Sequence, residues 1–409
     1  MRTTSALFLA LLAVAAASVI PAPERKVADK DLLVKQKQIM QLLVRVHQHN
    51  QFTEQVEIGN TYDIEAHVDS YKEPQVVKKF LAIYKHGLLP RGQVFSVLYK
   101  KHVEQVVYLF DLLYFAKDWD TFYHTACWAR DRINEGQFVY ALSVAVLHRE
   151  DTHDIVLPAP YEIYPQLFVH AEVIQQAYEA RMQNVDKTVV IPANYSGWQH
   201  RTNPEQLLSY FTEDVGLNTY STYLHYEYPF WMSTKRYGLN VERRGELFYY
   251  TQQQLLARYH LERLSNGLEG VDHLEPVSLD VHHQVEIGYE PNLRYQNGLE
   301  VPVLPEGISV SDIDLVSIEV VKNLETRLLQ VIDSHTLIAL DNDGPKRTII
   351  TDDIGMNILG NLVAGNGDSL NVRLYGRLYL ALRSLYGHIV DPVHEYGVAP
   401  GVLQHFETA

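Results

Sequence analysis

The sequence predicts a mainly α-helical protein, and three observations carry that prediction. Apolar residues recur every three or four positions through much of residues 32–148, the period of helices with one buried face. A second set of long helical patterns runs through residues 205–387, and no region reads as strand-rich. The chain has 409 residues, and a prior of roughly 100 to 200 residues per domain gives two or three domains.

At the start, Arg2, an apolar run over residues 6–17 and small residues ahead of Val19 have the charged, apolar and cleavable parts of a secretory signal peptide. Residues 1–18 are assigned to it. The run is shorter than the ~18 residues needed to span a bilayer, so the expected product is secreted, extracellular and free of membrane. Residues 19–152 form the first expected domain, all-helical. After a polar leader, helical spacing passes through Leu32, Leu33, Ile39, Met40, Leu43 and Val46. Further helices are expected at residues 75–86, 93–116, 121–133 and 137–148, the last two separated by Asn134-Glu135-Gly136. Between residues 149 and 165 the charged run REDTHD gives way to VLPAPYEIYP, whose prolines disfavour continuous helix, and the domain boundary is drawn there.

The second expected domain, residues 153–409, has long helical patterns at 205–230, 244–264, 314–334 and 370–387, which together suggest a four-helix bundle. Residues 271–305 read as a long loop, and GNLVAGNGD (360–368) has glycines at loop spacing.

The net charge of −15, without a basic run, opposes a nucleic-acid partner, because binding phosphates requires clustered Lys and Arg. A secreted chain with one cysteine, Cys127, has no internal disulfide and depends on its core and on association for stability. Cys127, beside Trp128, reads as a buried small hydrophobe. The sequon Asn194-Tyr195-Ser196 is a candidate for N-glycosylation.

Two imidazoles on one helix meet at a metal when they lie three or four residues apart. None of the nineteen histidines stands at that spacing from another. The nucleophile elbow, the Walker phosphate loop, H-E-x-x-H and G-x-G-x-x-G are also missing from the sequence, so no catalytic motif emerges. The acidic pairs Glu213-Asp214 and Asp352-Asp353 fit helix starts better than a cation site. The aromatic stretches, NTYSTYLHYEYPFW (218–231) among them, read first as core.

Four segments then carry a resemblance: ARDRINEGQFVYALSVAVLHREDT (129–152), EDVGLNTYSTYLHYEYPFW (213–231), RRGELFYYTQQQLLARYHLERLSNG (243–267) and DPVHEYGVAPGVLQHFETA (391–409). They closely resemble the arthropod hemocyanin superfamily, and within it the insect hexamerins, larval storage proteins of hemolymph. The resemblance implies an all-α domain followed by a hemocyanin-type four-helix-bundle domain, with the family's C-terminal β-sandwich domain absent. Copper-binding members hold each copper through histidines, whose nitrogen donors suit that metal. By resemblance the first copper's ligand positions fall on Ser221, His225 and Gln252, and two positions of the second fall on Tyr379 and Arg383. One imidazole remains. The resemblance therefore implies a degenerate copper site, no cofactor and no catalysis, in a secreted storage protein of hemolymph serving as an amino-acid reserve. It further implies a homo- or hetero-oligomer, a hexamer in the family, if the missing domain is present, and a hemolymph storage-protein receptor as partner. The alternatives are a copper-containing oxygen carrier or phenoloxidase, and a carrier of a small hydrophobic ligand such as juvenile hormone.

Overall fold

In the computed structural model the described residues are 29–97, 99–183, 187–193, 204–239, 243–270, 312, 316–341, 344–371, 378–382 and 385. The expected signal peptide, the expected loop 271–305, Asn194 and Arg383 lie outside them.

Local chemistry fixes where the first helices begin. Helix α1 (Lys30–Leu43) starts at Asp29, whose carboxylate accepts the Asp31 N–H at 3.3 Å. After α2 (Thr53–Thr61), helix α3 (Pro74–His86) opens on a proline and closes at Gly87 with φ 103°. Proline suits that first position because its missing N–H would have no helical partner. Helix α4 (Lys100–Tyr114) is shorter than the helix expected over 93–116. The preceding residues pack Phe95 and Val97 inward in non-helical backbone, and the Ser96 N–H donates to His102 Nδ1 at 3.2 Å. Asp118 caps α5 (Trp119–Arg130) by accepting the Thr121 N–H at 2.8 Å. Asn134 caps α6 (Glu135–His148) by accepting from Gly136 and Gln137 at 3.0 and 3.3 Å.

Helix α6 is the centre of this half. Every residue from Gln137 to Val146 is buried, as its apolar sequence all round the helix demands. Its own Phe138 is buried, and Tyr71, Phe80, Phe110 and Phe122 are buried in the same core. Cys127 is buried as expected, and burial pushes its thiol up to about 12, which leaves it inert as a nucleophile.

The same core continues into the second half of the chain. Tyr226, Met232 and Tyr237 belong to it, and Trp231 packs edge-on to Phe110 with ring centres 4.9 Å apart. The Trp231 indole N–H donates to the Tyr140 hydroxyl at 3.1 Å. Buried Asp111 accepts from the Tyr237 hydroxyl at 2.8 Å and from Arg236 at 2.6 Å. Such a carboxylate is tolerable only because both partners offset its lost hydration.

Helix α7 (Ala171–Met182) has no fully buried residue. The single helix expected over 205–230 is broken: short helical turns at Pro204–Leu208 and Ser209–Thr212 precede α8 (Val215–Glu227). Asp214 starts α8 by accepting the Leu217 N–H at 2.6 Å. Helix α9 (Arg244–Ser265) and helix α10 (Ile318–Ser334) follow the expected spans closely. Residues 378–382, within the expected last helix, are helical.

One element was not expected from the sequence, and a helix that opens at the expected acidic start runs on into residues that read as a loop. Strands β1 (Thr336–Asp341) and β2 (Gly344–Ile349) form an antiparallel hairpin, Thr336 opposite Ile349 and Asp341 opposite Gly344. Helix α11 (Asp352–Ala364) occupies much of what reads as a loop, and ends at Gly365 with φ 66°. Its internal glycines mimic loop composition, but Gly360 is there for contact. A Cβ on Gly360 would overlap the Gly245 carbonyl, and one on Gly245 would overlap the Asn357 carbonyl. The fold is mainly α-helical, with this hairpin as an addition.

Candidate functional site

A cleft of the second half lies beside the close crossing of α9 and α11. The Gly245 N–H donates to the Asn357 side chain at 3.0 Å, which fixes the register of the crossing. Over the next two turns of α9, Leu247, Phe248, Thr251 and Gln252 face a cavity of about 120 Å³. Ser221, Leu224 and His225 of α8 form a second wall, while Tyr379 and Leu380 close it with Val97 from the first half. Thus Ser221, His225, Gln252 and Tyr379, distant in sequence, share one cavity.

Each polar group has a definite environment. His225 lies one turn after Ser221 and its Nδ1 is 2.8 Å from the Ser221 carbonyl. That bond orients the ring along its own helix. Thr251 donates its hydroxyl to the Leu247 carbonyl at 2.8 Å. The Tyr379 ring packs edge-on to Phe248 at 5.4 Å. Arg244 is 4% exposed, reaches the cavity wall, and donates to the Met232 carbonyl at 3.0 Å with its guanidinium 5.9 Å from the Tyr228 ring.

This donor set does not fit copper. It offers one imidazole, hydroxyls and a carboxamide, where copper sites use several nitrogen or sulfur ligands. A buried guanidinium at the same wall adds a permanent positive charge that opposes a metal cation. Among the described residues no group of three or more His, Cys, Asp and Glu is gathered for a metal. Of the acidic pairs, Asp214 is the cap of α8, and Asp352 and Asp353 sit in the first turn of α11. Arg244, Phe230 and Val97 line the cavity without having been singled out in the sequence. Val97 in particular is more than 120 positions from its neighbours Ser221 and His225, with no local signal to connect them.

Helices from separate parts of the chain converge on one cavity, the architecture of a mainly helical protein of the hemocyanin class. The chain belongs to the hemocyanin family: residues 32–154 match its all-alpha domain and residues 159–409 its copper containing domain. Among curated proteins it is 43% identical to a hexamerin of Blaberus discoidalis, over 100% of this chain and 61% of that protein. It is 44% identical to the allergen Cr-PI of Periplaneta americana, over 99% of this chain and 58% of that protein. The chain thus spans about three-fifths of the length of these relatives. Among solved structures, a scorpion hemocyanin aligns with a TM-score of 0.69 at 36% identity, covering 79% of this chain and 50% of that one. A crustacean prophenoloxidase aligns with a TM-score of 0.66 at 26% identity, covering 81% and 52%.

Proposed function

We propose that this chain is part of a secreted, non-enzymatic storage protein of hemolymph, a reserve of amino acids in which the copper site of its family has been lost. The observation that carries this reading is the cavity lining: one imidazole, tethered to its own helix, beside a buried arginine. The likeness to hexamerins over the whole chain supports the storage role, and the net charge of −15 suits a protein kept at high concentration. On this reading residues 1–18 are a signal peptide, Asn194 carries a glycan, and Ser221, His225, Gln252, Tyr379 and Arg383 are former ligand positions. The division into domains at residues 152 and 153, the assembly into an oligomer and uptake by a receptor belong to the same proposal.

Elemental analysis of protein purified from its native source tests it. Copper well below one atom per chain is the expected result, with no oxygen-dependent near-ultraviolet band and no oxidation of diphenols. Two coppers per chain would overturn the reading.

A further inference from the structure

Helix α7 (Ala171–Met182) differs from the other long helices in what it buries. Among the described residues, every other helix of nine or more residues buries at least two residues, whereas α7 buries none. Val173, Ile174 and Ala180 reach only half-burial, and Tyr178 and Met182 are 54% and 75% exposed. The Gln175 carboxamide donates to the Glu179 carboxylate at 2.9 Å, one turn along the same helix. That bond stiffens the helix without anchoring it. A helix of 12 residues that lacks a packed face is marginal in water. It therefore unwinds at small cost while the helices around α6 stay folded. Arg181 stands in its last turn, followed by Met182 and Gln183, and all three are exposed. By contrast Arg130, Arg149, Arg244 and Arg263 are buried.

We propose that the peptide bond between Arg181 and Met182 is a cleavage site for a serine endopeptidase of trypsin specificity, reached in the folded protein by unwinding of α7. Such an enzyme takes an arginine side chain into an acidic pocket and acts on the transiently opened chain. One water is consumed. The bond between the Arg181 carbonyl carbon and the Met182 nitrogen breaks, the water's hydroxyl joins the carbon and its proton joins the nitrogen. The products are a new carboxylate at Arg181 and a new amine at Met182. The cut nicks the protein and releases neither part. Trp231 and Tyr237, beyond the cut, pack edge-on to Phe110, before it, with ring centres 4.9 and 5.4 Å apart. Arg236 stays paired with buried Asp111 at 2.6 Å. As a first step in drawing on a reserve, the cut rests on the storage reading, which the copper measurement decides separately.

The full chain is incubated with trypsin, and timed samples are read by N-terminal sequencing and intact mass. A new N-terminus at Met182 is expected in the absence of denaturant. R181Q, at an exposed position, is expected to abolish it. Ala177 is also exposed, and A177G is expected to speed the cut about fivefold, the glycine-for-alanine difference in helix propensity read as a larger open population. Below the unfolding transition the rate should rise only shallowly with urea, because unwinding one helix exposes little surface. In size-exclusion chromatography the nicked protein is expected to elute with the intact chain. Survival of this bond until the whole protein unfolds, a urea dependence as steep as that of global unfolding, no acceleration by A177G, or separate elution of two fragments would each overturn the proposal.

Discussion

The two halves of the molecule hold themselves together in different ways. Around α6, large aromatic and aliphatic side chains are wholly buried, and even the charged groups are locked in place. Arg149 donates to the carbonyls of Leu113, Tyr114 and Ala116 at 2.8–3.0 Å and pairs with Asp151 at 2.6 Å. In the second half α9 buries only Arg244, Gly245, Glu262 and Arg263, and it presents Tyr250, Leu256, Leu261 and Leu264 largely exposed. The separate core beneath the hairpin consists of Val331, Leu337, Ile350 and Leu362. One half is stabilised by filled volume. Among the described residues of the other, the cores are smaller, around Val331 and Leu337 and around Val321 and Leu385, and close backbone contacts and the seam of residues 226–239 add to them. A site built on the second kind of packing can change its lining with little loss to the whole, and the cavity that gathers Ser221, His225, Gln252 and Tyr379 lies there.

That contrast can be tested by removing one support at a time. The largest effect is expected at the seam, where Phe110 touches Trp231, Tyr237 and Tyr114 with ring centres 4.9–5.4 Å apart. Phe110→Ala should destabilise the protein by about 3–5 kcal/mol, the range for a buried phenylalanine. Denaturation followed separately by tryptophan fluorescence and by hydrogen exchange in α9 should register the loss in both halves. A loss confined to residues 30–155 would mean that the seam does not couple them.

A pH titration probes the first half alone. Burial lowers His102 to about 4, and its Nδ1 accepts the Ser96 N–H, which requires the neutral ring. An unfolded histidine titrates near 6.5, so between those values the unfolded chain binds the extra proton. The stabilisation is therefore complete above pH 6.5 and is lost as pH falls to 4, by roughly 3 kcal/mol. Urea denaturation across that range should show the slope, and His102→Gln should flatten it. An unchanged slope in the variant would assign acid sensitivity elsewhere.

The smallest expected effect lies at the α9–α11 crossing. Gly245→Ala inserts a methyl group against the Asn357 carbonyl and should cost about 1–3 kcal/mol, as overpacking does. Exchange protection should fall in α9 and α11 while α4 and α6 keep theirs. Equal losses in all four helices would show that the two halves are one cooperative unit.

The helices of the first half were legible because their side chains obey one rule: a period that places Phe80, Phe110 or Phe138 inward also places polar residues outward. The start of α4 departed from the reading because Phe95 and Val97 are equally apolar in extended backbone and in helix. In the second half the Asp352-Asp353 pair marked the start of α11, but its further course was hidden by Gly360, which stands there for its close approach to Gly245 rather than for helical preference. The hairpin was missed because TLIALD and PKRTI are too short to distinguish a strand from a buried helical turn by periodicity. As for the cavity, resemblance singled out Ser221, His225, Gln252 and Tyr379, and the fold gathers those four. Arg244 remained invisible because an arginine beside a second arginine at a helix start reads as a solvated pair, whereas the Met232 carbonyl and the Tyr228 ring hold it inside.

The glycine crossing bears on how such a protein changes over generations. Main chain rests on main chain where Gly245 meets Gly360, so the separation of α9 from α11 is dictated by peptide groups that every sequence shares. Replacements at Gln252, two turns away, leave that separation untouched. A lineage can thus exchange the residues around the void one at a time, each intermediate still folding, and selection on the chemistry of the void is free to lapse or to take a new direction.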